Sequence, residues 1–461
     1  MKNRNLRSII RYGAAVLGMA LMLGGCGEQA VESSAPSSQA VESSTVAEDV
    51  VKEPAKNAFF ESMVGEWELL AEVGEEYVYT VDESESIGSL VIYQEGDKYR
   101  ADYYLSAYES GTEIYGAPLK EESGTYFQDY FKADKYALMD RKSEYGGAYS
   151  IKTNDDGTLL LQYHRDYSYT YDDGEVEEYF YDAYYVYSKK DAPNRAELMD
   201  SYRYKQTVTV TNAVELYNAI HNNTHIILKA GTYNLSTILD RFKNNEDINY
   251  YYYDGECCES YGDSIYVPYL RDIFIEGEEG AEVLICTEDP GVAPLEFYNC
   301  NNIILKNLTV GHEVEPGHCS GSVLCFDSSY TITIENCRLY GSGTYGIEAY
   351  GCSNLDVKDC DIYECTEGLV SLPGSYYVQF SNCKLRDSSE YSMINLPDAY
   401  YVDFNHCSFT GNRCLSEFNP FIYAGDAFYI SFTDCTFRDN YYSELYAGEV
   451  IMTRCVIDDN K

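Results

Sequence analysis

Basic residues are scarce in this chain of 461 residues. Lysine and arginine together number 33, against 76 aspartates and glutamates, which gives a formal net charge of −43. Proteins that bind nucleic acid or anionic lipid headgroups present basic patches. The composition therefore argues against a nucleic-acid partner and against adhesion to acidic headgroups, and it predicts an acidic surface.

Tryptophan is nearly absent, and cysteine is missing from a long part of the chain. One tryptophan stands against 50 tyrosines. Tyrosine gives β-strands a large amphipathic side chain, so we expect an all-β protein. Of the 16 cysteines, one is Cys26 and the other 15 lie at Cys257 or later. This uneven distribution predicts two folded domains.

The first 25 residues have the layout of a secretory signal. Four cations, the last at Arg11, precede an apolar run from Ala14 to Leu23 that is too short to span a membrane. The run ends in Leu-Gly-Gly-Cys at Cys26, which resembles the lipobox of bacterial lipoproteins. The resemblance implies that Cys26 is diacylated and becomes the mature N-terminus; the alternative is an ordinary secretory signal with a stray cysteine. Two acyl chains would anchor the protein outside the cytoplasm, on the bacterial cell membrane.

Two further segments follow the lipobox. Residues 26–56 repeat the element AVESS and contain no aromatic residue, so they predict a disordered tether. Residues 57–190 contain short tyrosine-rich strands separated by Asp, Glu and Gly turns, which predict a small antiparallel β-barrel or sandwich. Gly65-Glu66-Trp67 resembles the Gly-x-Trp of lipocalin-like barrels. Such a barrel either holds an apolar ligand or is packed throughout.

Residues 207–461 contain a repeat. Seven segments share the template apolar-x-apolar-x-polar-Cys-x-apolar, and the aligned Cys positions are 20 to 29 residues apart. They are Leu308 in the first copy and then Cys337, Cys360, Cys383, Cys407, Cys435 and Cys455. A period of this length with alternating apolar residues is typical of a solenoid in which each repeat is one coil.

The residue before each cysteine is expected to lie at the corner of each coil, where the backbone turns. Asn and Asp, which dominate at this position, tolerate a left-handed backbone where the strand must bend. The cysteine that follows is small enough for a narrow inward corner, so the six cysteines should form one internal column. We expect free thiols that act as buried apolar groups. Disulfides between coils are the alternative, and zinc is disfavoured because a column does not supply four converging ligands.

The start of this region carries a family resemblance. The stretch from Thr207, TVTVTNAVELYNAIHNNTHIILKAGTYNL, resembles the N-terminal cap of right-handed parallel β-helices of the pectate-lyase-like superfamily. The resemblance covers Thr207 to Lys461 and implies a β-helix whose strand face holds polysaccharide, often with calcium. The Asn-Thr-Asp and Gly-His-Gly motifs of polygalacturonases are absent from the sequence, and so is an evident Arg/Lys set of the lyases.

A second strand in each coil is predicted to place carboxylate and tyrosine side chains on one outward face. The predicted outward row is Glu296, Cys325, Glu348, Ser371, Asn395 and Tyr423, flanked by Tyr298, Asp327 and Tyr350. Glu296 and Glu348 would lie two coils apart, about 9.6 Å at the usual strand spacing. This is near the upper end of the separation in inverting glycosidases. Glu296, Asp327 and Glu348 are therefore the catalytic candidates, and Tyr298 and Tyr350 the substrate-binding candidates.

A histidine-containing loop leads into the same row. The stretch GHEVEPGHCSG, Gly311 to Gly321, offers His312, Glu313 and His318 as metal ligands. It could instead hold a sugar, or be a structured loop without chemistry. No cofactor follows firmly from the sequence, and calcium is the one candidate.

Three function classes remain open at this point. A membrane-anchored lipoprotein that binds polysaccharide along its β-helix is the leading expectation. A polysaccharide hydrolase or lyase and a structural or protein-binding surface protein are the alternatives. Fold analogy does not decide among them.

Overall fold

The computed structural model describes residues 57–73, 78–80, 88–105, 112–125, 132–141, 146–171, 176–238, 259–261, 264–314, 318, 320–341 and 343–461. The predicted signal peptide, Cys26 and the predicted tether to residue 56 lie outside these ranges. Within them, no helix has the length and apolar character needed to cross a membrane. The described residues form three short helices: Ala58–Glu61, Arg195–Arg203 and Ala213–Ala219.

The first folded part is an antiparallel barrel. Its strands are Gly65–Val73, Val78–Thr80, Gly88–Glu95, Lys98–Leu105, Thr112–Thr125, Lys132–Met139, Ala148–Thr153, Leu159–Thr170 and Val176–Lys189. Eight of them close a ring because the first strand pairs with the last as well as with Gly88–Glu95. The short strand Val78–Thr80 adds to the first strand outside this ring. The sequence left barrel and sandwich open, and the structure is a barrel.

Large side chains fill the barrel. Trp67, Tyr103 and Tyr187 are almost fully buried in one apolar cluster. The indole nitrogen of Trp67 donates a 2.8 Å hydrogen bond to the carbonyl oxygen of Met63, which satisfies the one polar group of that ring. Buried aromatic rings with a satisfied polar atom are typical of a packed core. Of the two interpretations offered by the sequence, this packing favours the filled barrel.

The second folded part is a parallel β-helix of three sheets. Sheet 1 contains Gln206–Val210, Thr224–Leu228, Arg271–Gly277, Asn301–Lys306, Tyr330–Glu335, Ser353–Lys358, Tyr376–Ser381, Tyr400–Asn405, Phe428–Thr433 and Val450–Thr453. Sheet 2 contains Gly231–Asn234, Val283–Thr287, Thr309–His312, Arg338–Tyr340, Asp361–Tyr363, Lys384–Arg386, Ser408–Thr410, Thr436–Arg438 and Val456–Asp458. Sheet 3 contains Glu259–Tyr261, Ser264–Pro268, Leu295–Tyr298, Leu324–Asp327, Tyr345–Tyr350, Gly368–Ser371, Ile394–Asn395, Ile422–Ala424 and Tyr446–Gly448.

The start of the β-helix follows the predicted cap. Asn212 is the N-cap of the helix Ala213–Ala219, and its side chain accepts a hydrogen bond from the backbone nitrogen of Glu215. Ala213, Leu216 and Ala219 are the buried residues of this helix, and they belong to the apolar cluster of the β-helix. An amide cap satisfies a backbone donor that the first turn would otherwise leave free.

The corner between sheets 1 and 2 has the predicted geometry. The residue before each aligned Cys position has a φ between 52° and 56°. These residues are Asn307, Asn336, Asp359, Asn382, His406, Asp434 and Arg454. Left-handed backbone at one residue lets the chain turn without a longer loop, and Asn or Asp adopts it at low cost. The position of Asn in the repeat is therefore explained by backbone conformation.

Aromatic side chains continue the inward columns of the last coils. Phe380, Phe404 and Phe432 stack with ring centroids 4.7 and 4.6 Å apart, and Phe409 stacks on Phe437 at 4.5 Å. All five rings are fully buried. Burial of a phenylalanine side chain stabilises a fold by about 1.5–3 kcal/mol. These columns thus supply packing energy in the last coils of the β-helix.

The cysteine column is confirmed. None of the 12 cysteines that the structure describes is in a disulfide, and Cys337 to Cys435 in the column are buried. Cys455, in the last coil, is half-buried. A second inward position carries Cys300 and Cys352, and burial raises the pKa of each thiol to about 12. These groups are protonated at neutral pH and act as small apolar side chains.

We predict that thiol reactivity separates the native and unfolded protein. Native protein should react slowly with a disulfide reagent, because of the described cysteines only Cys325 and Cys455 are even partly exposed. Denaturation without reductant should release at least the 12 thiols that the structure describes. Recovery of fewer thiols, together with a melting temperature that falls on reduction, would show that coils are joined by disulfides.

Candidate functional site

Sheet 3 aligns the predicted outward row. Glu296 pairs with Cys325, and Cys325 with Glu348. The row continues through Ser371, Asn395 and Tyr423 in the same register. Tyr298, Asp327 and Tyr350 form the flanking row. The structure therefore brings the three carboxylate candidates onto one face, with Glu296 and Glu348 two coils apart and Asp327 on the coil between them.

Glu296 lies in a less polar position than a surface carboxylate. Its side chain is half-buried, and burial raises its pKa; the neighbouring charges of Asp327 and Glu348 raise it further. Glu348 is also half-buried, and its carboxylate accepts a hydrogen bond from the hydroxyl of Tyr350. The two glutamates thus have different surroundings, since one retains its proton more readily and the other is bound by a tyrosine. Both side chains lie at outward positions of their strands, as the sequence predicted, and each is half-buried there.

Cys325 separates the two glutamates. It is half-buried, and burial, followed by the charges of Glu296 and Glu348, raises the pKa of its thiol. A protonated thiol is a poor nucleophile. Cys325 therefore contributes a small uncharged side chain between two carboxylates, and covalent thiol chemistry is disfavoured there.

Tyrosines border the row on two sides. Tyr298 lies beside Tyr266, with ring centroids 6.3 Å apart, and meets Tyr269 edge to face at 5.3 Å. Tyr350 is exposed and donates to Glu348. Aromatic rings with hydroxyl groups suit both the apolar face and the hydroxyl groups of a sugar.

The structure adds a carboxylate that the sequence did not identify. Glu367 lies just before the strand Gly368–Ser371, and its pKa is raised by burial and by the charge of Glu348. Tyr345, the first residue of its strand, has a pKa raised by burial and then by the charges of Glu367 and Glu348. Glu367 lies in a turn outside the strand template, so the repeat gave no reason to consider it.

The side chains of the histidine-containing loop do not have the arrangement that a metal site requires. His312 ends a strand of sheet 2, is 2% exposed, and its Nε2 lies 2.8 Å from the carbonyl oxygen of Val292. Burial lowers the pKa of His312, which favours the neutral ring. Glu313 accepts a hydrogen bond from the hydroxyl of Tyr340, and His318 is exposed. The structure does not bring these three side chains together as a ligand set.

No metal centre is evident elsewhere among the residues described. Within those ranges, no group of three or more His, Cys, Asp or Glu side chains could hold an ion. Glu296, Asp327 and Glu348 share a face but do not converge on one point. The described residues of this face therefore provide no evident ligand set for calcium.

A separate groove lies along sheet 2. It encloses about 1480 Å³ and is lined in part by Thr309, Arg338, Tyr340 and Tyr363, with the turn 279–282 as one side. Arg338 donates to the hydroxyl of Tyr363. None of the residues of the predicted row on sheet 3 lines this groove, so the groove and the carboxylate cluster are at different places on the β-helix.

The comparisons support the fold. The family described as "Right handed beta helix region" matches residues 259–395 and 321–461, which together cover less than half of the chain. The β-helix is therefore right-handed and parallel. No curated protein matches the sequence.

Several solved structures are similar at low identity. PfbA, a surface adhesin of Streptococcus pneumoniae, is 10% identical over 55% of this chain and 70% of its own, with a TM-score of 0.29. A candidate glycosyl hydrolase from Parabacteroides merdae is 11% identical over 54% of this chain and 91% of its own, with a TM-score of 0.23. The endo-xylogalacturonan hydrolase of Aspergillus tubingensis is 10% identical over 57% and 77%, with a TM-score of 0.20. At these scores none of them decides a function.

We predict that Glu296→Gln stabilises the protein at neutral pH. The pKa of Glu296 is higher in the folded than in the unfolded chain, so the native state binds more protons in the window between the two values. Stability is then lost as pH rises through that window, and the amide removes this loss. The melting temperature of the variant should exceed that of the parent at pH 7.5, with no difference at a pH below about 4, where glutamate is protonated in both states.

The control for this experiment is Glu417→Gln, at an exposed glutamate. It should change the melting temperature little at either pH. An equal melting temperature of Glu296→Gln and the parent at pH 7.5 would contradict the buried position of Glu296.

Proposed function

We propose that this protein binds an extended polysaccharide along the outward face of sheet 3. The observation that carries the proposal is the aligned row from Glu296 to Tyr423, in which carboxylate, thiol, amide and phenol side chains are at least partly exposed at a single position of successive coils. Ser371, in the same register, is buried and does not contribute to the exposed row. A polymer with a regular repeat can contact such a row at several coils at once. Carboxylates accept hydrogen bonds from sugar hydroxyls, and the bordering tyrosines contact the apolar faces of the rings.

We propose further that the protein is held at the outer face of the bacterial cell membrane. The lipobox-like segment ending at Cys26 supports this, because two acyl chains give stable attachment. A flexible tether of about 30 residues would hold the folded part roughly 30 Å from the bilayer on average. A polysaccharide of the cell surface or of the surroundings would then be within reach.

A hydrolytic activity is the second candidate, and the different surroundings of the two glutamates favour it. Glu296, with its raised pKa, would donate a proton to the leaving oxygen of the glycosidic bond. Glu348 would act as the base that takes a proton from the attacking water, with Tyr350 orienting its carboxylate. Their separation of two coils, about 9.6 Å, leaves room for that water and corresponds to inversion at the anomeric carbon. A lyase is less well supported, because the evident Arg/Lys set of the lyases is absent from the sequence.

We predict binding of the detergent-solubilised full chain to at least one polysaccharide on an array of bacterial and plant glycans. Binding should weaken in Asn395→Ala and Glu348→Gln, because both positions belong to the row, and should persist in the groove variant Arg338→Ala. An absence of binding to every glycan would refute the proposal. Loss of binding in Arg338→Ala alone would indicate that the glycan binds in the groove on sheet 2.

For the hydrolytic candidate we predict new reducing ends from the bound glycan. Glu296→Gln and Glu348→Gln should each lower turnover by about a hundredfold or more, the usual contribution of a general acid or base. Both variants should keep the circular dichroism spectrum of the parent. Full turnover in both would exclude the assignment, and ultraviolet absorbance from unsaturated products would indicate a lyase instead.

A further inference from the structure

A group of six aromatic residues, all at least partly exposed, lies at the corner between sheets 3 and 1 in three successive coils. Each coil contributes an adjacent pair, and we call the group the aromatic ladder. Its members are Tyr376 and Tyr377, Tyr400 and Tyr401, and Phe428 and Tyr429. The register of sheet 1 aligns the first members, Tyr376 with Tyr400 and Tyr400 with Phe428. Five of the six residues are more than a third exposed.

The rings are ordered by stacking from coil to coil. Tyr377, Tyr401 and Tyr429 stack with centroids 5.1 and 4.7 Å apart, and Tyr376 stacks on Tyr400 at 4.9 Å. Within a coil the two rings meet edge to face, as in Tyr400 and Tyr401. Each ring of the second column is therefore fixed by its neighbour, which gives a preorganised surface.

The backbone beneath one column is in an unfavourable conformation for tyrosine. Tyr377, Tyr401 and Tyr429 have φ values of 55°, 56° and 58°. The same position in the earlier coils holds residues of another kind: Asp272, Asn302, Thr331 and Asn354. Asn and Asp adopt this conformation readily, whereas a bulky side chain is a genuine outlier there. Three consecutive coils thus have tyrosine at a position where Asn or Asp would adopt the required backbone conformation with less strain.

The last rung of the ladder has an open face. Residues 425–429 lie between the aligned positions Ala424 and Ile430 in its coil, but only Glu449 lies between the corresponding positions in the following coil. The shorter corner provides no aromatic residue to cover the last pair. Exposure follows this difference, since Phe428 is 58% and Tyr429 63% exposed, against 42% for the middle ring Tyr401.

The surroundings of the ladder define the chemistry of its ligand. The six ladder residues carry no charge, and five of them have hydroxyl groups. The charged residues that flank them are the exposed acids Asp398, Asp403 and Asp426. This acidic rim repels anionic polymers and offers acceptors to hydroxyl groups. A neutral ligand with one apolar face and many hydroxyl donors fits both features.

We propose that Phe428 and Tyr429 form a stacking site for a neutral sugar ring. This inference rests on the proposed function, because the sugar would be a unit of the polysaccharide that lies along sheet 3. The outward row ends at Asn395 and Tyr423, in the coils that also carry the last two rungs of the ladder. The carboxylate cluster and the ladder would thus bind different units of one chain, and the acidic rim selects neutral units at the ladder.

The test compares Tyr429→Asn, alone and with Phe428→Ala, with the parent chain. Electrophoretic retardation would be measured in gels containing soluble glucan, mannan or xylan, with polygalacturonate as the anionic comparison. Loss of the stacking face should weaken the apparent Kd for the retarding neutral glycan roughly fivefold to tenfold. The melting temperature of Tyr429→Asn should stay equal to or above that of the parent, because Asn relieves the backbone.

Thr331→Asn is the matched control, since it makes the same backbone change in an earlier coil without removing an aromatic ring. It should leave glycan binding unchanged. Tyr115→Asn, at an exposed tyrosine of the barrel, controls for loss of any surface ring. A structural role for the ladder predicts the opposite pattern, a lower melting temperature of Tyr429→Asn with unaltered binding.

The other outcomes separate this inference from the proposed function. Binding that is kept in both ladder variants but lost in Glu348→Gln overturns the stacking site and leaves the proposed function intact. Parent protein that binds no glycan refutes both. A change from dimer to monomer in the ladder variants, measured by light scattering, would show that a second copy covers the ladder, and this also overturns the stacking site.

Discussion

Backbone hydrogen bonding between parallel coils at strand spacing is the constraint on which the rest of the β-helix depends. Each of the three sheets is continuous, and pairings in register connect every coil to the next. Any position of a coil is therefore repeated about every 4.8 Å along the axis. The side chain chosen at one position must be compatible with its own copies above and below. This requirement explains the columns of cysteine and phenylalanine inside and the rows of carboxylate and tyrosine outside.

The inward and outward columns solve this requirement in different ways. Inside, thiols and rings gain from stacking because they are apolar and closely packed. Outside, like charges at successive coils would repel, and Cys325 between Glu296 and Glu348 relieves that repulsion by spacing the two carboxylates. Partial burial, and after it the remaining repulsion from Asp327 and Glu348, raises the pKa of Glu296. The alignment of coils that builds the fold thus also produces a surface glutamate, Glu296, that retains its proton more readily.

The repeat was predictable from the sequence because one corner position combines a backbone requirement with a size requirement. Asn336 and Cys337 illustrate this, since the first has a left-handed backbone and the second fills the corner behind it. Once the corners are aligned, the row on sheet 3 follows by counting, and the structure has that register. The burial of His312 was not predictable, because a polar residue in a glycine-rich stretch gives no sign of whether a strand buries it. Glu367 and the open face over Tyr429 were missed because they depend on turn lengths, which vary between coils.

The proposed function requires that the aligned face of sheet 3 binds the polysaccharide. The most direct measurement is a crystal structure of the protein with an oligosaccharide of the glycan that it binds. We expect electron density for sugar units along the row from Glu296 to Tyr423, parallel to the axis of the β-helix. Density confined to the groove of sheet 2 or to the barrel, with the row of sheet 3 free of sugar, would contradict it.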